Sequence, residues 1–126
     1  MARTPEGVVK DDIKKFLDQF GVRMAGRPEI EGGRGWMYMP VPTPFGVNGI
    51  PDFCGILFGA PFYIEAKAPK DGRPSENQLN RHAEIRAAGG HVVVATCALH
   101  VEAYIAATWP EKYADFKEAQ KAAAKK

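Results

Sequence analysis

The stretch Gly49–Lys67, GIPDFCGILFGAPFYIEAK, decides the fold of this chain. It consists of two short apolar and aromatic runs joined by Gly59-Ala60-Pro61, which is typical of a tight turn. The pattern therefore predicts a β-hairpin. Its only charged residues are Asp52, Glu65 and Lys67, and charges are unexpected on strands composed for burial.

Strand parity brings these three charges together. Side chains alternate between the two faces of a strand, and opposed residues of an antiparallel pair share a face. We expect Phe58 to pair with Pro61 across a two-residue turn. On that register Asp52, Glu65 and Lys67 lie on one face, and a shift by two residues would keep them there. The apolar side chains that should point to a core on the other face are Phe53, Leu57, Phe62 and Ile64.

Two neighbouring carboxylates indicate a cation site. They repel each other and are costly to desolvate unless a cation lies between them, and a divalent metal with oxygen ligands would fill that role. A structural alternative stays open. In it Asp52 caps a turn, and Glu65 and Lys67 form an ordinary ion pair.

Composition is that of an ordinary soluble globular protein. The chain has 126 residues, 45% hydrophobic and 25% charged, with a net charge of +2. We expect one domain over residues 1–126, with a core over about 4–108. No apolar run is long enough to cross a bilayer and no signal peptide is visible, so we expect a cytoplasmic protein without membrane association. Cys54 and Cys97 are expected to be buried, reduced thiols.

Residues 5–20 are predicted to form an amphipathic helix, with Thr4 as N-cap and Gly21 as the stop. Glu6 lies seven residues before Ile13 and so on the buried side of this helix. It is a candidate metal ligand, or it complements the helix dipole in the first turn.

A loop is expected over 22–34, a strand over 36–41 and a connection over 42–49. The arginines of this loop could contact phosphates, and the aromatics of this strand could stack on bases. More often such residues form a solvated loop and a packed strand, and we favour that interpretation.

The next helix is predicted from Ser75 to about Ala88. Ser75 and Gln78 have capping-box spacing, which would explain Gln78 completely. The functional alternative places Gln78 beside Asp52 and Glu65, which we call the acid pair. Arg81 and Arg86 are expected on the surface, available to phosphates, and His82 is expected to be structural.

A buried strand over 91–97 and a helix over 99–108 should follow, with a C-terminal helix or basic tail over 109–126. The predicted fold class is therefore α/β, in the order α-β-β-β-α-β-α, with a mixed central sheet flanked by helices. The return from the hairpin to the 91–97 strand through one helix favours a parallel crossover.

These segments resemble the virus-type replication-repair nuclease (VRR-Nuc) domain of the PD-(D/E)xK nuclease superfamily, which has a restriction-endonuclease-like core. The similar segments are Gly49-Ile50-Pro51-Asp52, Ile64-Glu65-Ala66-Lys67, the Gly/Pro loop after it, Ser75 to Gln78, and Gly89-Gly90 before a valine strand. Glu6 is similar to the first-helix acid of that family. The resemblance spans roughly residues 4–100, apart from the segment 22–48.

The resemblance implies a role for each matched position. The implied catalytic residues are Asp52, Glu65, Lys67 and Gln78, and the implied metal ligands are Glu6, Asp52, Glu65 and the Ala66 carbonyl. The metal would be one or two Mg²⁺ or Mn²⁺ ions. Lys67 would orient or deprotonate the attacking water, or stabilise the charged transition state.

The resemblance also implies a DNA endonuclease of the stand-alone phage or bacterial type. Its substrate would be branched DNA such as a flap or a Holliday junction, and it would act as a homodimer. Candidate DNA contacts are Lys70, Arg73 and Arg81. The alternative is a nucleic-acid-binding module that has this fold without catalysis.

Overall fold

A computed structural model describes residues 3–125 as a five-stranded mixed sheet with helices on both faces. The helices are α1 Pro5–Phe20, α2 Glu76–Ala87, α3 Ala98–Thr108 and α4 Pro110–Ala124. The strands are β1 Val22–Met24, β2 Gly35–Tyr38, β3 Phe53–Leu57, β4 Ala60–Ala66 and β5 His91–Ala95. The sheet order is β1-β2-β3-β4-β5, with parallel pairing at both edges and antiparallel pairing between. The predicted α/β fold class is confirmed.

Helix α1 forms as the sequence predicts. The Thr4 hydroxyl accepts a hydrogen bond from the Gly7 amide at 3.0 Å, which satisfies one of the free N–H groups of the first turn. At the other end Gly21 adopts φ +88°, a left-handed conformation that favours glycine. The apolar stripe that packs on the sheet is Val9, Ile13, Phe16, Leu17 and Phe20.

The hairpin forms, but its register differs by two residues from the expected one. Leu57 pairs with Ala60, so the two turn residues are Phe58 and Gly59. Both have positive φ, 51° and 80°, as a type I′ turn requires. The Phe58 ring lies 5.5 Å from that of Trp109, and this packing offsets the unfavourable φ of a non-glycine residue.

The two-residue shift leaves every side chain on its expected face. Four side chains at most 2% exposed form the core side of the hairpin: Phe53, Leu57, Phe62 and Ile64. Helix α1 packs on this side, whereas α2 packs on the opposite side.

Two local predictions are corrected. The segment 22–34, expected to be an irregular loop, contains β1, which pairs with β2 in parallel. The strand expected over 36–41 is Gly35–Tyr38. The C-terminal segment forms α4, and its Phe116 is buried in the core. Within residues 3–125 no helix has the length and apolarity to cross a bilayer.

Candidate active site

The acid pair lies where β3 begins and β4 ends. Because Phe53 pairs with Ile64, the preceding Asp52 stands opposite Glu65. The Asp52 carboxylate accepts a hydrogen bond from the Ala66 amide at 2.8 Å, which fixes its orientation against β4. Glu65 is completely buried, although it is a carboxylic acid.

Helix α2 contacts both oxygens of Glu65. The side-chain Nε2 of Gln78 donates to Oε2 at 3.1 Å, and His82 Nε2 lies 3.1 Å from Oε1. Gln78 Oε1 also accepts a hydrogen bond from the Ser75 amide at 2.8 Å. Gln78 therefore closes the capping box and contacts the site at once, so the two roles expected as alternatives coexist.

His82 is the contact that sequence reasoning missed. Its side chain is buried, and it faces β4 because α2 packs across that strand. The signal in the sequence is its spacing, since His82 lies four residues after Gln78 and hence on the same side of the helix.

Electrostatics at the pair favour a proton or a cation. Burial, followed by the hydrogen bond and the charge of Asp52, raises the pKa of Glu65 to about 8. Burial and the charges of Glu65 and Asp52 also raise the pKa of the nearby Cys54 thiol to about 11. Burial and the charges of Arg86 and Lys67 lower the pKa of His82. The site therefore disfavours a second negative charge that has no cation beside it.

Two ammonium groups lie beside the acidic side chains of the site. Lys67 Nζ lies 3.7 Å from Glu6 Oε1, which links β4 to α1. Lys10, one turn after Glu6, lies 3.5 Å from Glu6 Oε2 and 3.4 Å from Asp52 Oδ1. Sequence reasoning had not singled out Lys10, although its i,i+4 spacing from Glu6 was visible.

The acid pair supplies part of a metal site. Among residues 3–125 no group of three or more His, Cys, Asp or Glu side chains is placed to hold a metal ion. Asp52 and Glu65 offer hard oxygen ligands, and Mg²⁺ binds through one or two carboxylates while it keeps several waters. Glu6 instead pairs with Lys10 and Lys67. A metal ion would thus fit the acid pair, and Glu6 would join only by leaving its lysines.

The residues predicted to contact DNA differ in how exposed they are and in whether their side chains are already paired. Lys70 and Arg73 are exposed on the loop after β4. Arg81 is half-buried on α2 and forms an ion pair with Glu84 at 2.8 Å. Arg86 is less available than expected, because it donates to the Val92 carbonyl at 3.0 Å.

Comparison with known proteins relates most of the chain to a nuclease domain. A solved structure described as a VRR_NUC domain aligns with a TM-score of 0.59 and 25% identity, covering 82% of this chain and 96% of that chain. No protein-family model and no curated protein matches the chain. The match confirms the resemblance to the VRR-Nuc domain and its restriction-endonuclease-like fold. The chain has the fold of a nuclease-family domain.

Proposed function

We propose that this protein is a Mg²⁺- or Mn²⁺-dependent endonuclease that hydrolyses phosphodiester bonds in DNA, with branched DNA as its substrate. The observation that carries the proposal is the juxtaposition of Asp52 and Glu65, one of them completely buried, at the strand ends of a VRR_NUC-like fold. An acid pair that raises the pKa of one member to about 8 creates a demand for positive charge.

Asp52 and Glu65 would hold the metal, with the Ala66 carbonyl as a further oxygen ligand. A divalent ion there would neutralise charge on the phosphate and lower the pKa of a bound water. Gln78 and His82 keep the Glu65 carboxylate in place from α2, since each contacts one of its oxygens. Asp52 is kept in place by the Ala66 amide.

Lys67 would act on the phosphate and the attacking water. Its side chain is only 12% exposed and its ammonium group is paired with Glu6. An ammonium group in this position suits a donor to the phosphate oxygens, whose charge increases in the transition state. The water oxygen forms a bond to phosphorus and gives up a proton to solvent, while the bond to the leaving oxygen breaks and that oxygen takes a proton from solvent.

A cleavage assay tests this function. Duplex, single-stranded, flap and four-way-junction DNA are incubated with Mg²⁺ or Mn²⁺ and the wild type, Asp52→Asn, Lys67→Met or Asp115→Asn protein. Asp115 is an exposed acid of α4 and serves as the matched control. We expect cleavage by the wild type and the control and none by the other two, with flap or junction DNA cut fastest. Cleavage that survives both site substitutions would exclude this site.

A binding module without catalysis is the second candidate. The pairing of Lys10 with Asp52 and Glu6 favours it, because an ammonium group there meets part of the demand for positive charge. In that case DNA would be bound and never cut with any divalent metal. A two-fold homodimer would suit a four-way junction in either case, and sedimentation analysis would detect it.

A further inference from the structure

The sheet face that carries the acid pair continues onto β2 and β1. On β2 Trp36 pairs with Ile56, and Tyr38 pairs with Cys54. Cys54 in turn pairs with Tyr63 of β4, which shares a face with Glu65 two residues later. Trp36 and Tyr38 therefore lie on the same side of the sheet as the acids.

This part of the face is open to solvent. Trp36 is 41% exposed, Tyr38 44% and Ile56 50%. Helix α2 contacts β4 and β5 on this face, but these three side chains lie beyond it. The two aromatic rings lie beside each other, with centroids 5.8 Å apart. We call Trp36, Tyr38 and Ile56 the aromatic platform.

Exposed aromatics of this size indicate a binding surface. Of the eleven large hydrophobic residues that are exposed in the described chain, seven fall between residues 36 and 56. Two of them are the Trp and Tyr that offer flat rings. Bases of unpaired nucleotides stack on such rings regardless of sequence, because every base has a π face.

Charge and position favour DNA as the occupant. Arg23 pairs with Trp36 across β1 and β2, so its side chain leaves the sheet on the same face. Its Nε donates to the Arg27 carbonyl at 2.7 Å, and its charge remains on this side of the sheet. Asp52 lies two residues before Cys54, the partner of Tyr38. Diagonal neighbours of this kind are about 7–8 Å apart, with their Cβ atoms somewhat closer, so Tyr38 lies close to one nucleotide step from the acid pair.

We propose that the aromatic platform stacks unpaired bases of the DNA substrate immediately beside the bond that is cut. The proposal rests on the function proposed above and adds the substrate class. The preferred DNA would contain unpaired nucleotides at the cleavage point, as flaps and open junctions do. Arg23 would neutralise the phosphate that follows the stacked base.

Fluorescence gives a test that does not depend on cleavage. The chain has two tryptophans, Trp36 and Trp109, and Trp109→Phe leaves the platform residue as the sole tryptophan. Single-stranded DNA is titrated in EDTA, with binding followed separately by anisotropy of labelled DNA. We expect Trp36 emission to be quenched as the DNA binds. We also expect Trp36→Ala and Tyr38→Ala each to weaken single-stranded binding roughly 10-fold, with duplex binding unchanged.

Leu99→Ala is the matched control, because Leu99 is an exposed apolar residue of α3, away from this face. DNA binding by anisotropy without quenching of Trp36, or unchanged affinity in Trp36→Ala, would overturn the platform and leave the nuclease proposal intact. Absence of all DNA binding in EDTA would overturn the platform, and absence of both binding and cleavage with Mg²⁺ or Mn²⁺ would overturn the nuclease proposal as well. Sedimentation of the same variants tests whether a second copy of the chain, instead of DNA, occupies the platform. If Trp36→Ala separates a dimer while the affinity for DNA stays the same, the platform is a self-association surface and the proposal is wrong.

Discussion

His82 Nε2 lies 3.1 Å from Glu65 Oε1, and both side chains are buried. The contact joins α2 to β4 at the carboxylate that the proposed mechanism needs. His82 Nδ1 is buried with no hydrogen-bond partner in the described chain. Because burial first, then the charges of Arg86 and Lys67, lower the pKa of His82, the neutral ring with its proton on Nε2 fits this environment.

Substitution of His82 tests this pair. His82→Leu removes the Nε2–H donor and leaves the buried Glu65 Oε1 without its hydrogen bond. We therefore expect the free energy of unfolding to fall by about 1–3 kcal/mol. His82→Gln retains an N–H donor and should lose less. Urea unfolding at neutral pH measures both. Equal stability of His82→Leu and the wild type would show that the pair contributes nothing.

The metal-free protein should become less stable as pH rises above neutrality. The pKa of Glu65 is raised from 4.5 when unfolded to about 8 when folded. Between these values the folded state holds a proton that the unfolded state has lost, so this contribution is complete below pH 4.5 and disappears as pH rises through about 8.

Above pH 6.5, the unperturbed pKa of His82, the folded ring is mostly neutral, and the unfolded ring loses its remaining half charge, which adds only about 0.4 kcal/mol to stability. From there to about pH 8.5 we expect a loss of about 2 kcal/mol in EDTA. Glu65→Gln, which mimics the protonated acid, should lack this loss. A wild-type stability that rises over the window would contradict the raised pKa of Glu65.

Gly49 holds the loop before Asp52 against α2. It has φ +85°, and a Cβ there would lie 2.4 Å from the Asn77 carbonyl oxygen. Gly26 has φ +81°, but a Cβ there would have no atom within 4 Å, so Gly26→Ala measures only the cost of the backbone conformation. We expect Gly26→Ala to cost about 1–2 kcal/mol and Gly49→Ala several kcal/mol, measured by thermal unfolding. Similar losses in the two variants would mean that the loop tolerates displacement from α2.

Lys10 should compete with a metal ion for the site. Its ammonium group lies within 3.5 Å of both Asp52 and Glu6, and removing it leaves Asp52 without its cation and Glu6 with Lys67 alone. We therefore expect Lys10→Met to bind Mn²⁺ more tightly than the wild type in isothermal titration calorimetry. Lys14→Met, an exposed position one turn further along α1, is the control and should leave the affinity unchanged. Weaker binding by Lys10→Met would indicate that Lys10 helps to form the site.

The hairpin shows how much of the site the sequence could predict. The pairing of Phe58 with Pro61 was wrong, because Phe58 itself occupies the turn and is held there by Trp109. The acids nevertheless share a face as predicted, since an error of two residues preserves side-chain parity. The alternation of apolar residues was sufficient to predict which side chains share a face. The register could not be predicted in this way, because it depends on the packing of Phe58 against the distant Trp109.

Three features could not be predicted in full from the sequence, for physical reasons. Strand β1 has only three residues, too few for any periodicity, and it exists because β2 pairs with it. The spacing of His82 from Gln78 places both on one side of α2, but the contact of His82 with Glu65 also depends on how α2 crosses β4, which is a tertiary relationship. Trp36 and Tyr38 were expected to be packed, and their exposure follows from the absence of a helix over β2 in the described chain.

The central claim is that Asp52 and Glu65 together hold a divalent metal. Anomalous diffraction from crystals soaked in Mn²⁺ tests it most directly, because the signal locates manganese without reference to activity. We expect an anomalous peak within coordinating distance, roughly 2.0–2.3 Å, of one oxygen from each carboxylate, and no peak in Glu65→Ala crystals treated in the same way. Wild-type crystals with no peak between the two carboxylates at saturating Mn²⁺ would contradict the account.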